Sequence, residues 1–298
     1  MIAFLKLFRF PLVFTAIADS AAGYLVVGRS ADLFILALLA VTSAGLYCFG
    51  MAMNDIADRD RDREIAPNRV LPSGRITLRG AVAASVVAAL GSATAFTLVR
   101  QGPPLRFGVW AGVFLAILAY DFVLKVPPVM GLVRAGNFLL GALSADPIRF
   151  PMGSMGTAVG FDYGPIYALA LAPLVYGTAL TWVSTLEEGQ VRRPVVLLGA
   201  LVMAMGALVP LVVHSAWYFH RALWGLVPAG VLVGWTFCRA SRARDRRGIM
   251  LLVRDGVAGF ILLDATQLAA RGLLVQAAGV AALLVPAALS VAGFKRLP

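Results

Sequence analysis

Residues 54–74 read NDIADRDRDREIAPNRVLPSG and follow directly on a long apolar run. Asp55, Asp58, Asp60, Asp62 and Glu64 crowd into this stretch, in a chain with only 15 carboxylates. Each helical residue advances by about 100°, so spacings of three and four set Asp55, Asp58 and Asp62 along one stripe. Asp60 and Glu64 fall on the opposite side, and Arg59 and Arg61 flank the stripe. Like charges on one helical face repel by a few tenths of a kcal/mol per pair. The pattern makes sense with a cation between them. Hard oxygen donors in this number suit magnesium, which keeps waters and bridges one or two carboxylates to a substrate phosphate. A solvated mixed-charge loop is the other reading. The scarcity of acids elsewhere and the place at a helix end favour the first.

Composition sets the class. Of 298 residues, 60% are hydrophobic and 14% charged, with a mean hydropathy of +0.85. Soluble domains carry roughly a quarter charged residues. Recurrent apolar runs of about twenty residues mean transmembrane helices. The net charge of +11 does not indicate nucleic acid, because the arginines gather in alternate loops, as membrane topology requires. Cys48 and Cys238 lie far apart in apolar runs, which fits inert core thiols. With His214 and His220 the only histidines, a zinc site is not expected. Lys6 and Arg9 before an apolar stretch resemble a signal peptide. The stretch runs on to Val27 and more helices follow, so a retained helix is expected.

The runs predict spans over 9–28, 33–53, 78–99, 105–124, 129–146, 165–186, 194–214, 221–238, 250–270 and 273–293. Basic residues concentrate on the side that holds Lys6, Arg59–Arg63, Lys125 and Arg239–Arg247. That side is cytoplasmic by the positive-inside rule, with both termini and the acidic stretch on it. The composition fits a bacterial inner membrane.

Ionisable groups within spans cost about 2.5–3.5 kcal/mol each on insertion scales. Asp19 therefore lines a site or makes a buried hydrogen bond. Arg134, with Asn137 one turn further, is functional or snorkels to the interface. Pro67 and the Leu71–Gly74 segment force a turn between spans two and three. Arg69, beside it, can grip phosphate oxygens, whereas Arg75 fits the topology rule alone. Asp121 and Lys125, four apart at a helix end, are expected to pair. Lys125 is also placed to meet a diphosphate. Glu187 and Glu188, at the end of span six, make a second acidic patch on the same face. Two such patches can hold two metal ions across one diphosphate. Gly45, Gly50 and the small residues of span three predict close helix packing.

Asn54-Asp55-x-x-Asp58-x-x-x-Asp62, followed by Arg69-x-Leu71-Pro72-Ser73-Gly74, resembles the first aspartate-rich motif of the UbiA superfamily of intramembrane prenyltransferases. The Tyr120–Lys125 element and an acidic patch after span six fit the same family. YDFVLK at 120–125, the Glu187–Gly189 region and RDGVAGFILLDA at 254–265 are similar to its EboC-like branch. The resemblance implies an all-α transmembrane bundle of nine or ten spans, a single domain over 1–298, around a cavity open to the cytoplasmic side and to lipid. It implies a polyprenyl diphosphate as substrate and Mg2+ as cofactor. Asp55, Asp58 and Asp62 would hold the first metal and serve catalysis, with Glu187 and Glu188 at a second. Asn54, Arg69, Tyr120, Asp121, Lys125, Arg134 and Asn137 would serve the diphosphate. In the family the diphosphate leaves an allylic carbocation for an acceptor to attack; here the acceptor is expected to be lipid-soluble. Two features depart from the pattern. The second motif is usually D-x-x-x-D rather than adjacent glutamates, and nine spans are usual. The rival reading is a transporter or lipid-binding scaffold that keeps the fold without the reaction.

Overall fold

The computed structural model describes residues 2–28, 31–145, 164–187 and 191–295, and among these the regular structure is helical. A short helix α1 (Ile2–Leu7) leads through a left-handed turn at Arg9 into α2 (Val13–Val27). Then follow α3 (Leu33–Ala57), α4 (Arg59–Ile65), α5 (Leu78–Leu98), α6 (Leu105–Phe122) and α7 (Pro127–Ala142). The second half holds α8 (Gly164–Ser184), α9 (Arg193–Ala222), α10 (Leu226–Arg242), α11 (Arg246–Ala270), α12 (Leu274–Ala281) and α13 (Leu284–Lys295).

Local chemistry explains the boundaries. Asp32 caps α3 by accepting from the amides of Phe34 and Ile35 at 2.8 and 3.3 Å. Thr77 caps α5 and Asp245 caps α11 in the same way. Pro127 occupies the first turn of α7, where its missing N–H costs nothing. Asp58 alone interrupts the helix between α3 and α4. Gly74 takes a positive φ of 73° in the turn that sends the chain back into α5.

Helices occupy all ten stretches expected from the hydropathy, and among the described residues eight are long and apolar enough to cross a membrane unaided. The other two are α7, with only 16 residues, and α11, which carries Arg254, Asp255 and Asp264. The last expected span is not one uninterrupted helix: it turns between α12 and α13. Large apolar side chains such as Val87, Leu90, Leu115, Met205 and Val227 face outward. A patchy apolar exterior of this extent belongs in lipid. The chain is an integral membrane protein.

The inside is organised by α2 and α11. From Gly259 to Ala270, α11 is buried at every position but Leu262, so its polar residues there face protein rather than lipid. Helices α2 and α7 touch backbone to backbone. A Cβ on Gly141 would lie 1.8 Å from the Ser20 carbonyl oxygen, and one on Gly23 would lie 2.0 Å from that of Phe138. The expected close packing of α3 on α5 is present as well. A Cβ on Gly45 would sit 2.6 Å from the Ala88 oxygen, and Ser92 Oγ donates to the Thr42 carbonyl at 2.8 Å.

Candidate active site

A cavity of about 290 Å³ opens between α2, α3, α6, α7, α8 and α11. Its wall is mostly apolar, with Leu46, Val113, Ile117, Leu180, Val257 and Phe260, and polar groups gather at its two ends. At the mouth lie Asn54, Tyr120 and Asp121, with Arg9.

Three acid–base pairs crowd around this mouth. Asp55, at the end of α3, accepts from Arg9 Nη2 at 3.2 Å. Asp58, at the break between α3 and α4, pairs with Lys125 from the α6–α7 turn. Asp62 on α4 accepts from Arg69 Nη1 at 2.6 Å. The stripe carboxylates turn inward despite the break. Asp55 and Asp62 keep only 9% and 3% of their side chains exposed, whereas Asp60 keeps 73% and turns to Arg59 and Arg63. Asn54 ties the mouth together. Its Oδ1 accepts from Arg9 Nη2 at 3.4 Å, and its Nδ2 donates to Asp121 Oδ1 at 3.2 Å.

Lys125 does not pair with Asp121, as an i,i+4 spacing would have it. Helix α6 stops at Phe122, and the Leu124 amide folds back on the Ala119 carbonyl at 2.7 Å. Lys125 therefore leaves the helix surface and reaches Asp58, and Asp121 takes Asn54 instead.

A second polar group sits at the far end of the cavity. Arg134 Nη2 donates to Asp19 Oδ1 at 2.8 Å and to the Thr15 carbonyl at 3.1 Å. Its guanidinium carbon lies 3.8 Å from the centre of the Phe260 ring. Asn137 Nδ2 donates to the Ala16 carbonyl at 2.7 Å and to Asp19 Oδ2 at 3.2 Å. Asp264 of α11 is fully buried beside Asp19. Arg134 and Asn137, both expected on the diphosphate, thus engage α2 deep in the bundle. Asp19 is their partner.

Glu187 ends a short 3-10 turn after α8 that packs on α11, and it is not among the residues lining the cavity. Glu188 lies outside the described residues. Among the described residues no three acidic, histidine or cysteine side chains converge as a metal shell requires. The mouth still has hard oxygen donors that fit a magnesium site: carboxylates and amide or phenol oxygens. Each stripe carboxylate holds a basic side chain.

Arg9 is the mouth residue without a signal in the sequence, where it stands with Lys6 as a basic flank of the first span. Its backbone is left-handed, with a φ of 45°, and its carbonyl accepts from the Tyr47 hydroxyl at 3.4 Å. Such a conformation is costly for a non-glycine residue and collects at functional sites. Ser43 and Thr15 give none either, since hydroxyls in apolar runs carry no periodic signal.

An all-helical membrane bundle around a largely apolar cavity with an acid–base mouth is the architecture of an intramembrane transferase. The chain belongs to the UbiA prenyltransferase family, whose family model matches residues 12–250. It is a prenyltransferase. It is 30% identical to the digeranylgeranylglyceryl phosphate synthase of Natronomonas pharaonis over 228 residues, 74% of this chain and 76% of that one. Among solved structures, a UbiA homologue from Archaeoglobus fulgidus superposes with a TM-score of 0.61 at 14% identity, covering 91% of this chain and 99% of that one. The same homologue bound to GPP and Mg2+ gives a TM-score of 0.58 at 12% identity, over 88% and 99% of the two chains. At these identities the structures speak to the fold.

Proposed function

We propose that the chain transfers a prenyl group from a polyprenyl diphosphate, held with Mg2+ at the acid–base mouth, to a lipid-soluble acceptor inside the cavity. The observation that carries this reading is the set of three carboxylates, each with its own cation, around the opening of an apolar chamber. The GPP and Mg2+ in the related Archaeoglobus fulgidus protein support the substrate class and the metal. The haloarchaeal relative is named as a synthase of a digeranylgeranylglyceryl phosphate, which supports an acceptor that is itself a lipid. The motifs at 120–125 and 254–265 support a place in the EboC-like branch. The charge pattern supports a single domain over 1–298 in a bacterial inner membrane, with the mouth and both termini cytoplasmic.

Asp55, Asp58 and Asp62 would hold the metal, with Asn54 assisting. The bound metal supplies positive charge to the leaving diphosphate. Arg9, Arg69 and Lys125, released from their carboxylates, then donate to phosphate oxygens, with the arginines suited to paired contacts. The carbon–oxygen bond to the diphosphate breaks, a bond to the acceptor forms, and the acceptor loses a proton. The apolar wall of Leu46, Val113, Ile117 and Phe260 keeps water from the developing allylic cation. Charge is stabilised most where the dielectric is low and the donors are already in place.

The test is equilibrium binding of labelled geranyl diphosphate to the detergent-purified chain, with and without Mg2+. Metal-dependent binding that disappears in Asp58→Asn places the diphosphate at the mouth. No binding by the wild type at any prenyl length overturns the reading.

A further inference from the structure

We propose that the far end of the cavity is a subsite for a non-reacting hydroxyl group of the acceptor, and that Ser43 Oγ is the atom that receives it. The inference deepens the function proposed above, and rests on it for taking the occupant to be the acceptor.

Hydrogen-bond polarity fixes what the far end can receive. Asn137 turns one end of its amide towards the Ala16 carbonyl and the Asp19 carboxyl, at 2.7 and 3.2 Å. A carbonyl oxygen can only accept, so that end is the NH2 and the amide orientation is fixed. Its Oδ1 then faces Ser43, whose hydroxyl donates to it at 2.8 Å. The Ser43 hydrogen is committed to that bond. What Ser43 offers to the cavity it lines is lone pairs alone.

Position and charge complete the case. Ser43 precedes Asn54 by eleven residues on the uninterrupted α3, about 16 Å along the helix axis at 1.5 Å per residue. A hydroxyl on Ser43 is therefore too far from the mouth to be the attacking atom, and it anchors the acceptor instead. A prenyl tail has no donor to give Ser43, and a diphosphate at neutral pH offers mainly acceptors. Arg134 does not turn this end into an anion site, because Asp19, Thr15 and the face of Phe260 already occupy its guanidinium. Its Nε, buried without a partner among the described residues, is a spare donor on the same helix as Asn137. A hydroxyl has a hydrogen to give, and so suits a site that presents lone pairs. Asp19 is a positioning residue here, acting through Asn137.

The experiment compares equilibrium binding of labelled geraniol and of geranyl methyl ether, which lacks the hydroxyl hydrogen, to the purified full chain. Wild type should favour geraniol by about tenfold. Ser43→Ala should bring the two ligands to within about twofold, and Ser43→Thr, which keeps a hydroxyl, should restore the preference. An equal preference in wild type and Ser43→Ala overturns the assignment, as does a wild type that does not distinguish the two ligands or binds neither. Geranyl diphosphate binding with Mg2+ is measured on wild type in parallel. Its failure there would remove the metal–diphosphate reading while leaving the Ser43 result to stand or fall by itself.

Discussion

Arg134 on α7 holds Asp19 on α2 at 2.8 Å inside the bundle, where Asp19 is fully buried and Arg134 keeps 10% of its side chain exposed. A buried pair broken from one side leaves the other charge uncompensated, at a cost of about 3–5 kcal/mol. Arg134→Met should therefore lower the thermal unfolding midpoint in detergent sharply. The double variant Arg134→Met/Asp19→Leu should recover much of the loss, because neither member of the pair is then left without the other. A double variant as unstable as the sum of the single ones would show that the pair is not the relevant unit.

Asp58 and Asp60 are two residues apart and face opposite ways. Asp58→Asn should lower magnesium-dependent prenyl transfer by about a hundredfold or more, in the range seen for removing a group that stabilises developing charge. Asp60→Asn, at a side chain that is 73% exposed, should stay within about twofold. Steady-state turnover on labelled geranyl diphosphate reads both. Equal losses would mean that the stripe does not define the site.

Arg9 bridges Asn54 and Asp55 from an otherwise unremarked turn. Arg9→Gln should weaken diphosphate binding by about tenfold, the worth of a charge-assisted hydrogen bond. It should also flatten the salt dependence of that binding. Unchanged affinity would return Arg9 to a purely topological role.

The α2–α7 contact leaves no space for a side chain at Gly141 or Gly23. Gly141→Leu should prevent accumulation of folded protein, since even a Cβ would fall 1.8 Å from the Ser20 oxygen. Gly91→Leu on α5, where a Cβ would meet nothing within 4 Å, should express and purify normally. Size-exclusion profiles of the two proteins in detergent compare them directly.

The class, the spans and the mouth acids were legible because hydropathy and helical spacing are local properties. Asp55, Asp58 and Asp62 keep their common face across the break at Asp58 because the 58–62 amide-to-carbonyl bond, at 2.8 Å, preserves the helical spacing. The partners were not legible. Lys125 is four residues from Asp121 in sequence, but the end of α6 at Phe122 takes it off that face. Asp19 meets Arg134 across 115 residues, a pairing that no periodicity encodes. Asp19 was already legible as a residue that needs a partner; its identity depended on α2 and α7 touching at glycines.

At the mouth three acids are each matched by a base, while Asp121 is held by Asn54, which has a consequence for the order of loading. A bare divalent cation entering the mouth would displace three side-chain cations and leave them uncompensated beside a low-dielectric chamber. A diphosphate entering alone would meet carboxylates that already occupy the bases. On the proposed function, the two together would come closer to electroneutrality, with the carboxylates facing the metal and the bases the phosphate oxygens. Substrate and metal would then be best taken up as a single complex, with neither waiting long in the site for the other.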